Sequence, residues 1–290
     1  MPVKGEKFRE LVKLILRISD SLSFTILEVG ALQIEEKTEP FHQLLDCFPA
    51  SKIIAFEVDE TLCAELNKKA KSNMQYFAVP LGRTEESRPF YETVHPMCSS
   101  LYKPNEELID LYNNMMEAAK LKSVGSVDTV SLDFFTKEND IGAVDFIKID
   151  IQGAELDVFK GGVETLSDVV AIVSEVEFIP HYIDQPLFGD LCTFLAEKGF
   201  MFHKFLGLCG RSLKPIVLNN NPNIGSQHIW SDAVFIRDIR KTDNLSSDQL
   251  LKMGLLAFLY DSPDILFYCV KQYDDRNHTH IYKELLSLLA

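Results

Sequence analysis

The chain has 290 residues, 46% of them hydrophobic, enough for one large domain or a domain with a small addition. Its net charge of −14 makes a surface that repels phosphate backbones, which argues against a nucleic-acid partner. No apolar run is long enough to span a bilayer, and six cysteines without CxxC spacing read as reduced, buried thiols of a cytoplasmic protein rather than metal ligands.

Phe8, Leu11, Val12, Ile15 and Leu16 recur at helical spacing, which predicts an amphipathic helix over 6–20 that packs ahead of a sheet. Arg9, Glu10, Lys13 and Arg17 interrupt any signal-peptide core there. Phe24 to Gly30 reads as the first strand, and Phe41 to Phe48 as a helix stopped by Pro49. Lys52 to Asp59 is the second strand, closed by Glu57, and the helix after it runs from Asp59 to Ala70. Met74 to Gly82 reads as the third strand. A long insertion, 83–126, follows. It is strand-like over Phe90 to Tyr102, then helical over 106–121 with Leu108, Leu111, Tyr112 and Met115 on one face, a cover for a cleft. Val127 to Phe135 reads as a short strand and the start of a helix.

The stretch from Val144 to Glu155 organises the rest. Val144, Phe146, Ile147, Ile149 and Ile151 form the near-continuous apolar run of a strand buried on both faces of a parallel sheet. Asp150 breaks that run near its end, Gly153 follows, and a helix opens at Ala154 with Leu156, Phe159 and Val163 on one face. A carboxylate where a strand gives way to a helix is a usual place for chemistry in an open α/β sheet. The same residue types also cap helices for structural reasons. Val170 to Phe178 is the next strand, with Glu175 and Glu177 on one face. A helix over 188–198 ends at Gly199, and Phe200 to Phe205 and Asp232 to Ile236 are the last strands. From 241 the pattern is purely helical. Ser246 and Gln249 form a capping box, Leu251, Leu255, Phe258 and Leu259 make a stripe, Pro263 opens a second helix and 280–289 is a third. His278 and His280 there lack a ligand set for a metal.

Phe146-Ile-Lys-Ile-Asp-Ile-Gln-Gly-Ala-Glu155 followed by Val158-Phe-Lys-Gly-Gly162 resembles the signature of the FkbM-type methyltransferases. Further matches follow in order: Glu175 to Phe178, Gln185 to Phe188, Phe194-Leu195 with Gly199-Phe200, and Asp232 to Arg237. The resemblance covers about residues 24–238. It implies an α/β fold, a Rossmann-like class I methyltransferase sheet, mostly parallel with an antiparallel strand near one edge. The chain then divides into an N-terminal helix (1–23), a methyltransferase domain (24–240) and a small C-terminal helical appendage (241–290) that packs on the domain or on a second copy.

The resemblance also implies S-adenosylmethionine as cofactor and methyl transfer to oxygen, on a hydroxyl of a sugar or glycan, a polyketide or a similar small molecule. It places the donor's methionine over Glu28, Gly30 and Ala31, its ribose at Glu57 and its adenine at Val79 and Pro80, with Val58 also among the donor contacts and the methyl group toward Asp150. Gly30-Ala-Leu-Gln-Ile-Glu departs from the glycine-rich GxGxG form of that loop, so either the loop takes another path or it holds the donor less tightly. Asp150 is the first candidate for the base, with Glu175, Glu177 and His181 as alternatives. His95, Ser99, Ser100, Glu177 and Tyr182 are candidate acceptor contacts, and no metal is implied. Two other classes stay open: a donor-free domain kept as a binding or scaffold module, and a nicotinamide enzyme, which would also use a strand-ending acid but needs the missing GxGxxG.

Overall fold

The structure, a computed structural model, describes residues 2–31 and 39–289. Helix α1 (Pro2–Leu16) precedes β1 (Thr25–Val29), and a 3-10 turn at Pro40–His42 leads into α2 (Gln43–Cys47). Then come β2 (Lys52–Glu57), α3 (Glu60–Lys69), β3 (Met74–Ala78) and β4 (Leu81–Gly82). Strand β5 (Glu86–Thr93) is followed by two one-turn helices, α4 (Glu106–Ile109) and α5 (Met116–Ala119), and then by β6 (Leu121–Ser131) and α6 (Leu132–Glu138). Next are β7 (Phe146–Ile149), α7 (Glu155–Lys160), β8 (Ala171–Glu177), α8 (Phe188–Glu197), β9 (Phe200–Phe205), β10 (Cys209–Gly210) and β11 (His228–Arg237). Three helices close the described chain: α9 (Ser247–Leu259), α10 (Pro263–Asn277) and α11 (Ile281–Leu289).

The main sheet among the described residues has the order β10-β11-β8-β7-β1-β2-β3, with β9 also on β11. Strands β3, β2, β1, β7 and β8 run parallel, and β11 runs against both β8 and β9. This is the mostly parallel sheet with an antiparallel strand near one edge that the family resemblance implies. Both faces are covered, as a parallel sheet requires. Side chains alternate between faces along each strand, so every second residue shares a core. Leu27, Ile147, Ile172 and Phe235 face a layer that includes Leu132, Leu156, Phe159 and Leu191 from α6, α7 and α8. Ile26, Ala55, Phe146, Val173 and Val234 face α1, α2 and the C-terminal helices, in one cluster with Leu251, Leu255, Leu266 and Cys269. The C-terminal helices are therefore the covering layer of one sheet face.

Local chemistry sets the ends. Asp59 caps α3 by accepting from Leu62 N–H at 2.9 Å, and Ser246 and Gln249 make the expected reciprocal box on α9. Gly199 ends α8 in the left-handed region, φ 84°.

Four expectations need correction. The helix over 6–20 ends at Leu16. The third strand does not run to Gly82: the chain leaves β3 at Ala78, and beyond Pro80, which has no N–H to give a ladder, Leu81 and Gly82 pair with β6 in a second, three-stranded sheet. Helix α7 stops at Lys160, leaving Val163 exposed. A Cβ on Gly161 would lie 2.6 Å from the Gly82 carbonyl oxygen, so the chain passes too close to β4 for a side chain there. The single helix over 106–121 is broken into the one-turn α4 and α5. Asn114 sits at φ 62°, and Asn113 Nδ2 donates to the carbonyls of Ser212 and Ile216 at 3.0 and 2.8 Å instead of facing solvent on a helix. What covers the cleft is the β5–β6 hairpin and the turn at Pro96–Cys98.

Candidate active site

One sheet face turns polar at the carboxyl ends of its strands. Two residues beyond Ile26, Ala55, Phe146 and Val173 of the core, on the same face, stand Glu28, Glu57, Lys148 and Glu175. Asp232 joins this row from the antiparallel strand, opposite Glu175. A cavity of about 380 Å³ opens above the row. Its floor is the turn after β1 and the turn after β7, and its roof comes from the insertion, through Phe90, Met97, Ser99 and Leu101.

The two floor turns touch. Gly30 has φ 80°, and a Cβ there would meet the Asp150 carbonyl oxygen at 1.9 Å, so glycine is required by this approach. Gly30 N–H and Ala31 N–H both donate to Phe56 O, at 3.1 and 3.0 Å, which holds the first turn against β2. Glu57 accepts from Val58 N–H at 2.8 Å and from Asp59 N–H at 3.2 Å through the same oxygen. Its other oxygen has no partner among the described residues.

Asp150 lies at the centre, its side chain 33% exposed. It accepts from Gln152 Nε2 at 3.0 Å, and Lys148 Nζ is 3.6 Å away. Burial alone would raise its pKa, but the Lys148 charge and hydrogen bonds with Glu175 and Gln152 outweigh it and hold the carboxyl below its ordinary value. Lys148 is buried and also donates to Asp232 at 3.1 Å. Burial works against its charge, yet Asp150, Asp232 and Glu175 together raise its pKa. Glu175 shares the Gln152 amide with Asp150, at 2.5 Å, and burial followed by the Asp150 charge lifts it well above a normal carboxyl. Burial likewise pushes Glu155 up to about 7, although Ile151 and Gly153 N–H donate to it at 2.8 and 3.2 Å. The result is an ionised Asp150 facing the cleft with the more readily protonated Glu155 and Glu175 behind it. Oxygens of Asp150, Glu155 and Glu175 lie within 4.8 Å of one another, but the Gln152 NH2 group, a donor and not a ligand, bridges the first and last.

All the residues assigned from the sequence to the donor line this cavity: Glu28, Gly30, Ala31, Glu57, Val58, Val79, Pro80 and Asp150. Residues 32–36 of the loop that departs from the glycine-rich form lie outside the described residues. Of the acceptor candidates, Ser99 and Ser100 line the cavity. Ser100 Oγ donates to the Gln152 carbonyl at 2.7 Å, fastening roof to floor. The others lie elsewhere. His95 is exposed at the start of the Pro96–Cys98 turn and does not reach the cleft. Glu177 is buried beyond Glu175. Tyr182 is buried too, its hydroxyl on the Cys98 carbonyl and Gln152 Oε1 at 2.8 and 3.0 Å, so it braces the turn from behind. His181 turns away and does not line the cavity: its ring centroid lies 5.8 Å from that of Trp230, and burial followed by the Arg211 charge lowers its pKa to about 4. Glu175 stands one step behind Asp150 and does not line the cavity.

Sequence reasoning passed over Lys148, Gln152, Glu39 and His42. Glu39 lines the cavity, and His42 Nε2 pairs with Glu28 Oε2 at 3.0 Å. The signal for Lys148 was a lone cation in an apolar strand, two residues before Asp150 on the same face.

Among solved structures, a Thermoplasma acidophilum chain assigned as a methyltransferase is 10% identical over 74% of this chain and 69% of that one, with a TM-score of 0.33. The 23S rRNA methyltransferase ErmE is 11% identical over 96% and 97%, with a TM-score of 0.32. EvdMO1 is 11% identical over 81% and 43%, with a TM-score of 0.30. At these scores the likenesses add nothing to what the topology establishes. Compared with curated proteins, the chain finds no match. The sequence family is decisive: residues 28–202, more than half of the chain and the span that carries the whole polar row up to Glu175, match the methyltransferase FkbM domain. The chain belongs to the FkbM methyltransferase family.

Proposed function

We propose that this methyltransferase binds S-adenosylmethionine in the cleft and methylates a hydroxyl oxygen of a sugar or glycan, a polyketide or a similar small molecule. The cavity fits the donor by its chemistry. The unpartnered oxygen of Glu57 can accept from two ribose hydroxyls, and Val79 and Pro80 offer an apolar edge for adenine. Glu28, Gly30 and Ala31 supply a close-packed backbone and a carboxylate for the amino-acid end. When bound, the donor supplies an electrophilic methyl group on a sulfonium.

An alcohol attacks poorly unless its proton has somewhere to go. Asp150 is the group this chain offers for that proton: it is ionised, it faces the cleft, and Lys148 and Gln152 fix its position. That geometry is the observation that carries the reading. Ser99 stands across the cleft, where its hydroxyl could orient an acceptor, and orientation is itself a large part of catalysis. The acidic surface supports a neutral or cationic small acceptor over nucleic acid. No helix among the described residues is long and apolar enough to cross a membrane, and all six cysteines are free thiols, which supports a reducing compartment such as the cytoplasm.

The test has two stages. Calorimetry with S-adenosylhomocysteine should show binding, and Glu57→Ala should weaken it by about 1.5–3 kcal/mol. Methyl-labelled donor is then offered with sugar, polyketide and lipid alcohols, and transfer to oxygen is read by mass spectrometry. No homocysteine-adduct binding to the folded wild type would leave a donor-free binding module as the reading. Transfer to nitrogen or carbon would sink the oxygen assignment.

A further inference from the structure

Seventeen large hydrophobic side chains are exposed among the described residues, and seven of them fall in the single loop from Leu206 to Ile224. Its most open members, Leu208, Leu213, Ile216 and Val217, are 47 to 57% exposed. Leu111 adjoins them, because Lys214 N–H donates to its carbonyl at 2.8 Å and Tyr112 bridges to Leu213. Single exposed aliphatics need no explanation, but a contiguous group calls for one.

The loop lies at the functional edge of the sheet. Trp230 pairs with Glu177, the last residue of β8, and Gly210 pairs with His228, so the chain between Gly210 and His228 projects beyond the carboxyl ends of the parallel strands, where Asp150 stands. Trp230 is two residues from Asp232, about 7 Å along the same face, and Asp232 holds Lys148.

Its charge is unlike the rest of the molecule. The chain has 43 acidic residues, yet none occurs between Leu206 and Ser231. Its two cations are engaged: the Arg211 guanidinium lies 4.5 Å from the Trp230 ring centroid, and Lys214 pairs with Asp110 at 2.9 Å. Its shape is a projecting turn, with Asn219 and Asn220 both left-handed beneath a Leu218–Asn221 bridge. A stable protein contact needs roughly 800 Å² of matched surface per partner. A turn tip of aliphatic side chains next to uncharged asparagines suits instead a fluid interface, where apolar groups enter and amides stay among headgroups.

We propose that this loop docks the enzyme on a zwitterionic lipid surface, with Ile216, Val217 and Leu218 entering the acyl boundary. The net charge of −14 selects zwitterionic over anionic lipid. Docking there turns the edge of the sheet that bears Asp150 toward the membrane, so a lipid-borne or membrane-dissolved alcohol is the kind of acceptor that would gain from it. The docking itself does not depend on which acceptor is used.

The experiment is co-sedimentation of the full chain with phosphatidylcholine vesicles, and with vesicles that also contain phosphatidylserine. The wild type should sediment with phosphatidylcholine and less with phosphatidylserine present. Ile216→Glu with Val217→Glu should weaken partitioning by about tenfold or more. Val124→Glu, at an exposed valine of the β5–β6 hairpin, should not. S-adenosylhomocysteine calorimetry on the loop variant shows whether it folds, and keeps failure of docking distinct from failure of donor binding. Absence of wild-type sedimentation, equal binding by the loop variant, or preference for phosphatidylserine each overturns the proposal. So does a dimer in light scattering that the loop variant abolishes, which would make a second copy the occupant.

Discussion

Replacing Asp150 by Asn removes one charge and almost no volume. The asparagine oxygen can still accept from Gln152 Nε2, now at 3.0 Å, and Lys148 keeps Asp232 at 3.1 Å. No buried cation is left alone, so the stability cost is that of one charged contact at 3.6 Å on a one-third exposed side chain, about 1 kcal/mol. Donor binding should stay within a few-fold of wild type. Turnover should not. Losing the group that takes the acceptor's proton lowers the rate by roughly 10²–10⁴, or about 3–5 kcal/mol of barrier. The assay is single-turnover methyl transfer with a reactive alcohol from the panel, beside a melting curve and S-adenosylhomocysteine calorimetry. The wild-type pH profile adds a second reading. Burial raises the Asp150 pKa, but Lys148, Glu175 and Gln152 overcome it and hold it below 3.8, so the base stays ionised through neutral pH. Its activity should be whole above that value and lost only as pH falls through the depressed pKa. Full turnover in Asp150→Asn would return the residue to a structural role. Loss of donor binding in step with turnover would make it a donor ligand instead.

Gly30→Ala puts a Cβ 1.9 Å from the Asp150 carbonyl at φ 80°, so it should lower the melting temperature and weaken S-adenosylhomocysteine binding together; a stable variant with intact binding would show that the two turns can separate. Glu155 has a folded pKa raised by burial to about 7 from 4.5, so the folded state holds its proton more tightly. That stability is whole below the unfolded value and lost as pH rises through the folded one, about 3 kcal/mol by pH 8; Glu155→Gln should flatten the melting temperature between pH 5 and 8, and an unaltered slope would refute the assignment. A chain ended at residue 240 loses Leu251, Leu255, Leu266 and Cys269, all fully buried against the sheet, and should fail to melt cooperatively; a soluble, cooperatively unfolding fragment would contradict the layer assignment.

The strands were legible because burial on two faces leaves a plain mark: Phe146, Ile147 and Ile149 admit few other readings. The insertion was not. Leu108, Tyr112 and Met115 keep helical spacing, but Asn113 is held by Ser212 and Ile216, about a hundred residues later in the chain, and periodicity cannot register a competitor that distant. The C-terminal stripes showed three helices and could not show their partner. Leu251 and Leu255 say only that something covers them, and the cover is the chain's own sheet.

The site divides along the same line. Glu28, Glu57 and Asp150 stand where strands end, and alternation alone puts them at one edge of the sheet. What makes Asp150 useful is not written beside it. Lys148 lies two residues earlier on the same face, in a run that otherwise reads as core, and a buried lysine is costly unless its partners are present. Those partners come from three strands: Asp150 after β7, Glu175 on β8 and Asp232 on the antiparallel β11. The strand order that brings β11 beside β8 therefore does more than close the sheet. It supplies the second carboxylate that lets Lys148 remain charged where it is buried, and a charged Lys148 is what keeps Asp150 ionised. The base is a property of the topology as much as of the residue.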